Sequence, residues 1–293
     1  MNFSEKLKEI RRKEGISQEQ LAERIGVSRQ AITKWETGKG LPDVENMVII
    51  AEIFKTTIDE LLMDSVAKAV PETFVYTSET IYDIDCEKHF DVNIGNASAV
   101  MLSSGEDEKL HIKLSSETLE NLGSMFKIKL DDRKNRLDVF CLNTNKLSRF
   151  EAEEALTVEI ILPNKYSDTC EITASVKLLA IRNLHLNRLE YDGDAEQVLI
   201  SDSSGSLELT AKTDYEITVD KVTGRLDVNQ WKAKAVIHIP EENMVKVVNK
   251  GRKCNVYYVK EGKTVESGNV ADSENEISIS GIFSELVVDL NNK

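Results

Sequence analysis

Residues 15–38, GISQEQLAERIGVSRQAITKWETG, decide the fold of the first part of the chain. Ser17 and Gln20 have the spacing of a capping box, which predicts that a helix begins just after Ser17. Gly26 permits a tight reversal that a Cβ atom would hinder, and Ser28 is placed to cap a second helix. The stretch therefore predicts two short helices joined by a glycine-centred turn.

The apolar residues of this stretch have the sizes that such a helix pair needs. Ala22 is small enough for the second helix to cross the first closely, while Ile32 and Trp35 recur at the spacing of one helix face. These two larger side chains would anchor the second helix on a core. Together with the turn, they predict a helix-turn-helix unit.

The residues on either side extend this unit to a small bundle. Phe3, Leu7 and Ile10 form one apolar stripe of a preceding helix. A further helix is predicted to open at Pro42–Asp43, and a last one is capped at residues 57–60. We expect a five-helix bundle over residues 1–64.

Residues 3–62 resemble the phage-repressor and Cro type of helix-turn-helix, the xenobiotic-response-element family of bacterial regulators. The resemblance is carried by LKEIRRKEGISQEQLAERIGVSRQAITKWETGKGLPDVENMVIIAEIF, which is followed by TIDELL. It implies that residues 1–64 form a DNA-binding domain and that the protein regulates transcription.

In the five-helix bundle, the helix that carries Ile32 and Trp35 is the third. The predicted DNA contacts follow from its face that points away from these two residues. Arg29 can pair with guanine and Gln30 with adenine in the major groove. The family commonly contacts a phosphate at the position of Gln18, at the start of helix two. The residues predicted to contact DNA are Gln18, Ser28, Arg29, Gln30, Thr33, Lys34 and Lys39.

Charge is distributed unevenly along the chain. The whole chain has a formal net charge of −14, residues 1–40 carry +3 and residues 41–293 therefore carry −17. Only the surface that meets phosphate has to be basic, so a basic domain on an acidic chain is compatible with DNA binding.

Residues 65–72 are predicted to be a linker, and residues 73–293 a strand-rich domain. Short alternating phrases such as GSLELTA, YEITVD and GRLDVNQ follow one another about every ten residues, separated by polar turns. The fold class is thus multidomain, α plus all-β. We favour a β-solenoid for the second part, with a β-sandwich as the alternative.

A phrase that occurs twice supports the solenoid. VEIILPNKYS at residues 158–167 and AVIHIPEENM at residues 235–244 each end an apolar strand in proline and a polar turn. This weakly resembles the bacterial adhesin-like domain of unknown function, in which strands stack into a β-solenoid.

Residue patterns of catalytic or metal sites are lacking in the sequence. Cys86 and His89 have a spacing that zinc sites use, but no second pair follows them. We expect no enzymatic activity, no cofactor and no metal. The four cysteines form no C-x-x-C pair, so we expect buried, reduced thiols.

Neither a signal peptide nor an apolar run of membrane-spanning length is recognisable. We therefore expect a cytoplasmic regulator with no membrane association, by default a repressor. It would bind double-stranded DNA as a homodimer at a near-palindromic operator. The second domain would serve sensing, assembly or partner contact, for an effector that the sequence does not specify. The alternative is a β-solenoid interaction scaffold whose helix-turn-helix serves localisation or autoregulation.

Overall fold

The chain divides into two compact units, residues 1–72 and residues 73–293, which we call the head and the body. The structure, a computed structural model, describes residues 3–13, 15–40, 42, 44–54, 74–240, 245–260, 263–265 and 273–291. The predicted fifth helix and the predicted linker lie outside these residues.

Four helices form the described part of the head: α1 (Phe3–Lys13), α2 (Gln18–Ile25), α3 (Arg29–Glu36) and α4 (Val44–Phe54). Helix α3 packs against α1 and α2, and α4 packs against α2. Their shared core is small and consists of Leu7, Leu21, Ala22, Ile25, Ile32, Trp35, Ile50 and Ala51.

The turn between α2 and α3 has the predicted chemistry. The Ser17 hydroxyl accepts a hydrogen bond from the backbone N–H of Gln20, and the Gln20 side chain accepts one from the N–H of Ser17. Gly26 ends α2 in the left-handed conformation, with φ 84°, where a side chain would be strained. Ser28 caps α3 through the backbone N–H of Ala31. Local sequence signals thus set both boundaries of the turn.

In the described part of the body, sixteen strands form one open sheet. The strands are β1 (Tyr76–Asp83), β2 (Lys88–Gly105), β3 (Lys109–Ser116), β4 (Phe126–Arg133), β5 (Arg136–Asn143), β6 (Thr157–Pro163), β7 (Ser167–Arg182), β8 (His185–Asp192), β9 (Ala195–Ala211), β10 (Tyr215–Trp231), β11 (Lys234–Pro240), β12 (Lys246–Asn249), β13 (Asn255–Lys260), β14 (Lys263–Val265), β15 (Glu276–Ile282) and β16 (Glu285–Asn291). Two short helices, α5 (Leu122–Met125) and α6 (Arg149–Ala155), and a 3-10 turn at Asn164–Tyr166 interrupt them.

From β7 to β11, each strand pairs in parallel with a strand close by in the chain, whereas β2 pairs in parallel with the more distant β5, β6 and β7. Thr169 pairs with Arg188, and Gln197 pairs with Glu216, in each case 19 residues further along. Antiparallel pairs occur towards the two ends of the sheet, between β1 and β3, β3 and β6, β4 and β5, and β13 and β14. Alternate side chains of the strands meet in one continuous apolar cluster that runs from Ile84 to Val288.

Several strands are longer than the sequence pattern predicts. The phrases QVLISD and GSLELTA belong to the single strand β9 of 17 residues, and YEITVD and GRLDVNQ belong to β10 of the same length. Within β9, Gly205 has φ 125°, and a Cβ atom there would lie 1.8 Å from the carbonyl oxygen of Leu186. The backbone therefore bends at this glycine without ending its strand pairing.

Candidate nucleic-acid interface

Helix α3 is fixed on the core by its apolar side and leaves its other side free. Ile32 is fully buried and Trp35 is 7% exposed. Arg29, Gln30 and Lys34 are exposed on the remaining face. Three of the side chains predicted to contact DNA thus share one exposed surface of one helix.

These three side chains are available for a ligand. Among the described residues, no hydrogen bond or ion pair engages the side chains of Arg29, Gln30 or Lys34. An arginine and a glutamine with free polar ends can each form two hydrogen bonds with a base edge. The face has the donors and acceptors that reading a major groove requires.

Gln18 and Thr33, also predicted as DNA contacts, bind each other instead of projecting separately. The Thr33 hydroxyl lies 3.3 Å from Oε1 of Gln18 and 3.1 Å from the carbonyl oxygen of Arg29. Nε2 of Gln18 donates to Oε2 of Glu36 over 2.8 Å. Gln18 therefore ties the start of α2 to α3, and its side-chain amide already has partners in the free protein.

The remaining two predicted contacts flank α3. The Ser28 hydroxyl is exposed and accepts a hydrogen bond from the N–H of Ala31 over 3.2 Å, which leaves its proton for an acceptor such as phosphate. Lys39 is exposed just beyond the helix, and its backbone N–H donates to the carbonyl oxygen of Lys34. Both side chains border the same face as Arg29.

A buried ion pair holds this arrangement, and our sequence reasoning missed it. Nε of Arg11 lies 2.5 Å from Oε1 of Glu36, and Nη2 lies 2.9 Å from Oε2. The two side chains are 11% and 2% exposed. Nη1 of Arg11 also donates to the carbonyl oxygen of Ile16 over 2.8 Å. The pair joins α1, the loop before α2 and the end of α3.

The environment keeps both groups of this pair charged. Burial raises the pKa of Glu36, but hydrogen bonds from Arg11 and Gln18 outweigh that effect and lower it below its usual value of 4.5. The hydrogen bond from Arg11 to Glu36 raises the pKa of the guanidinium. A signal for the pair exists in the sequence, because Arg11 follows Leu7 by four residues and so shares the core-facing side of α1.

Other kinds of site are not seen in the described part of the chain. Those residues hold no group of three or more His, Cys, Asp or Glu side chains arranged for a metal ion. No helix within the same ranges has the length and apolar character to cross a membrane. All four cysteines are free thiols.

The expectation that these thiols are all buried was wrong. Cys170 and Cys254 are buried, whereas Cys141 is half-buried and Cys86 is exposed near the turn between β4 and β5. Burial raises the pKa of Cys141 to about 12, so its thiol stays protonated at neutral pH.

Comparison with known proteins identifies the motif. Residues 7–61 match the family model described as Helix-turn-helix. The HTH-type transcriptional activator BcrR of Enterococcus faecalis is 48% identical over 73 residues, which are 25% of this chain and 36% of BcrR. The transcriptional repressor RstR of the cryptic phage CTXphi in Vibrio cholerae is 41% identical over 61 residues, 21% of this chain and 54% of RstR.

A shorter relative is matched by this chain over most of its length. An uncharacterised HTH-type transcriptional regulator of Archaeoglobus fulgidus is 36% identical over 58 residues, which are 20% of this chain and 83% of that protein. The chain therefore spans most of this relative but only about a third of BcrR and about half of RstR.

For the strand-rich part, the chain is similar to a crystal structure from Clostridium sporogenes that is described as a cell adhesion protein. The match has a TM-score of 0.35 and 14% sequence identity, and it covers 74% of this chain and all of that one.

Proposed function

The chain belongs to the helix-turn-helix family of transcriptional regulators, and from this premise we propose that it is a cytoplasmic repressor. It would bind a near-palindromic operator as a homodimer and block access of the polymerase. The observation that carries the proposal is the exposed face of α3, where the side chains of Arg29, Gln30 and Lys34 have no partner among the described residues while Ile32 and Trp35 are held in the core.

Each side chain of this face has its own part in the proposal. Arg29 would bind guanine through two hydrogen bonds and Gln30 would bind adenine in the same way. Lys34 and Lys39 would lie near phosphates, and Ser28 would donate its free proton to one. Gln18 and Thr33 would position α2 against α3 and reach phosphate by exchanging their mutual hydrogen bond for one to DNA.

The dimer is supported by the modest charge of the head. A net charge of +3 over residues 1–40 gives one head little non-specific affinity for DNA. Two heads on half-sites one helical turn apart would combine their affinities. The sign of regulation is open to test, because the relatives BcrR and RstR are named an activator and a repressor.

For the body we propose a β-solenoid that serves sensing, assembly or partner contact, without catalytic activity. Parallel pairing between residues 19 positions apart supports stacked rungs of that length. The same regular surface also favours the alternative function, an interaction scaffold whose head only localises the protein or regulates its own gene.

Binding of the full-length protein to DNA from its own promoter tests these proposals. We expect a footprint with two half-sites and an affinity that falls steeply with salt. Arg29→Ala and Gln30→Ala should each relax the preference at one base pair by about 1–3 kcal/mol. Lys127→Ala on the exposed surface of β4 is the matched control and should leave the footprint unchanged.

The outcome separates regulator from scaffold. A protected site whose sequence preference disappears in the Arg29 and Gln30 variants supports the regulator, and a reporter gene behind that site then gives the sign. Uniform weak binding to all promoter fragments, unchanged in these variants, would contradict the regulator and leave the scaffold.

A further inference from the structure

Three corners of the body lie side by side near the C-terminal end of the sheet. They connect β10 to β11, β12 to β13 and β15 to β16. The N–H of Lys232 donates to the carbonyl oxygen of Ile282, and the N–H of Phe283 donates to that of Arg252, each over 3.1 Å. We call residues 231–234, 250–254 and 281–285 the corner column.

Two large aromatic side chains of this column are exposed. Trp231 is 59% exposed and Phe283 is 52% exposed. Trp231 pairs in register with Ile282, the residue before Phe283, so that the two aromatic residues belong to neighbouring strands. Apolar groups of this size normally lie in the core, and their joint exposure marks a surface for interaction.

The corner column is rich in cationic side chains, one of which, Lys250, pairs with Glu276 of β15 over 2.7 Å. The corner column contains five lysine or arginine residues and one carboxylate, that of Glu285, although residues 41–293 as a whole carry −17. Nζ of Lys253 lies 4.8 Å from the centroid of the Phe283 ring. The cations are Lys232, Lys234, Lys250, Arg252 and Lys253.

The backbone at Phe283 has the left-handed conformation that the other two corners of the column also use. Phe283 has φ 56°, in the left-handed region that disfavours bulky side chains. Lys232 and Lys253 hold the equivalent positions in the other two corners, with φ 53° and 57°, and among the described non-glycine residues with positive φ, Phe283 is the one aromatic. The stacking of the corners accounts for the backbone conformation, but it does not require an exposed aromatic side chain, which points to a role on the surface.

We propose that the corner column binds the surface of an anionic lipid bilayer. Its cations would lie at the lipid phosphates, and the rings of Trp231 and Phe283 would enter the interface between headgroups and acyl chains. Duplex DNA fits less well, since it presents phosphates but keeps the faces of its bases stacked, so exposed rings gain little there. A bilayer surface offers both an anionic layer and an apolar one.

This mode of binding departs from the expectation of no membrane association, which concerned spanning segments. A corner that inserts two rings needs no apolar helix. The proposal is independent of DNA binding by the head, and either can fail alone.

The test measures co-sedimentation of the full-length protein with vesicles of phosphatidylcholine, with and without phosphatidylglycerol. We expect sedimentation only with the anionic vesicles, and loss of it at high salt. Lys232→Gln and Lys253→Gln should each lower the partition coefficient about fivefold, and Phe283→Asn about tenfold. Phe150→Asn, on α6 and 70% exposed, is the matched aromatic control, and Lys221→Gln, a left-handed corner lysine elsewhere on the body, is the cationic one.

Phe283→Asn separates binding from folding. Asparagine accepts the left-handed conformation better than phenylalanine, so this variant should melt at the same temperature as the parent or higher. Tryptophan fluorescence gives a second readout, because Trp35 is buried and Trp231 is exposed, and these are the two tryptophans of the chain. Emission should shift to the blue when anionic vesicles are added, and Trp231→Ser should abolish the shift.

Three results would overturn the proposal. One is the absence of sedimentation with anionic vesicles at low salt. Another is an equal loss in the Phe150→Asn control. The third is an effect of the corner variants on DNA affinity without any on vesicle binding, which would assign the corner column to DNA.

Discussion

The head and the body are stabilised in different ways. The described part of the head rests on a cluster of eight core residues and a buried ion pair carried by short helices, of which α2 and α3 begin at local caps. The body rests on one sheet, mostly parallel, in which each strand is held by the backbone of its neighbours. We infer that the head depends on a few side chains, whereas the body depends on uninterrupted backbone contact.

Substitution of one glycine in each unit tests this difference most directly. Gly205→Ala should lower the stability of the body by more than about 4 kcal/mol, because the new Cβ atom would overlap the carbonyl oxygen of Leu186 at 1.8 Å. Gly26→Ala should lower that of the head by only about 1–2 kcal/mol, since no atom lies within 4 Å of the new Cβ. Hydrogen exchange followed by mass spectrometry reports the two units separately.

Equal losses at the two glycines would contradict the inference. So would a Gly205→Ala variant whose amides in β8 and β9 exchange as slowly as in the parent. Gly123→Ala, at a non-strained glycine near the Ser78 side chain, provides a body control in which a flexible neighbour can move.

The buried ion pair gives the next largest effect, and it is confined to the head. Glu36→Ala should destabilise the head by about 3–5 kcal/mol, because the buried guanidinium of Arg11 would lose its counter-charge. The double variant Arg11→Met with Glu36→Leu should recover most of this loss. Differential exchange of α1 and α3 is the measurement, and unchanged exchange in β9 is the internal control.

The same pair sets an acid limit for the head. The pKa of Glu36 is lowered from 4.5 in the folded head. The charged carboxylate therefore stabilises the head above pH 4.5, and this stabilisation is lost as the pH falls through the lower pKa of the folded state. Parent protein should therefore lose head protection on acidification from pH 4.5 downward. If the Glu36→Ala variant shows the same acid transition, another carboxylate is responsible.

The contrast also explains which parts were predictable. In the head, Ser17, Gly26 and Ser28 act within a few residues of their own position, so the sequence indicated α2, the turn and α3 correctly. The pairing of Gln18 with Glu36 joins residues 18 positions apart, and it became visible only with the helices in place. The exposed face of α3 was predictable, whereas the ion pair behind it was not identified.

In the body, the alternating pattern predicted strands but could not give their register. Glu171, Glu190 and Glu208 lie side by side on three adjacent strands. Like charges so placed repel each other, and Arg188 offsets this by contacting Glu190 at 2.8 Å and Glu208 at 3.1 Å. That compensation depends on parallel pairing across about twenty residues, which no local pattern encodes.

One helix of the body carries a local signal that we overlooked. Ser148 and Glu151 form a capping box at the start of α6, with the same spacing as Ser17 and Gln20 in the head. The helix lies between strands and has a single buried side chain, that of Ala152, so apolar periodicity gave no support for it.

The smallest expected effect concerns His111 on β3. Its side chain joins β1, the strand at the edge of the sheet, to the turn between β2 and β3. Nε2 lies 2.7 Å from Oδ2 of Asp107, and Nδ1 lies 3.2 Å from Oε1 of Glu79 on β1. The hydrogen bond with Asp107, assisted by Glu79, outweighs burial and raises the pKa of His111 above 6.5. Two residues further along β3, Lys113 pairs in register with Glu79 of β1 and with Glu159 of β6.

Because its pKa is raised in the folded state, the charged His111 side chain stabilises the body fully below pH 6.5. This contribution is lost as the pH rises through the pKa of the folded state. Both carboxylates are about half exposed, with 47% of each side chain accessible, so the change should stay below about 1 kcal/mol. Urea unfolding of the body between roughly pH 6 and pH 9 should show this decline in the parent and not in His111→Asn. His185→Asn is the control, because among the described residues the side chain of His185 hydrogen-bonds only with the hydroxyl of Ser204. This variant should keep the parent's decline of stability with rising pH. If both variants keep the parent's pH dependence, the edge strand is held by its backbone ladder alone, and the division between a side-chain-dependent head and a backbone-dependent body becomes sharper.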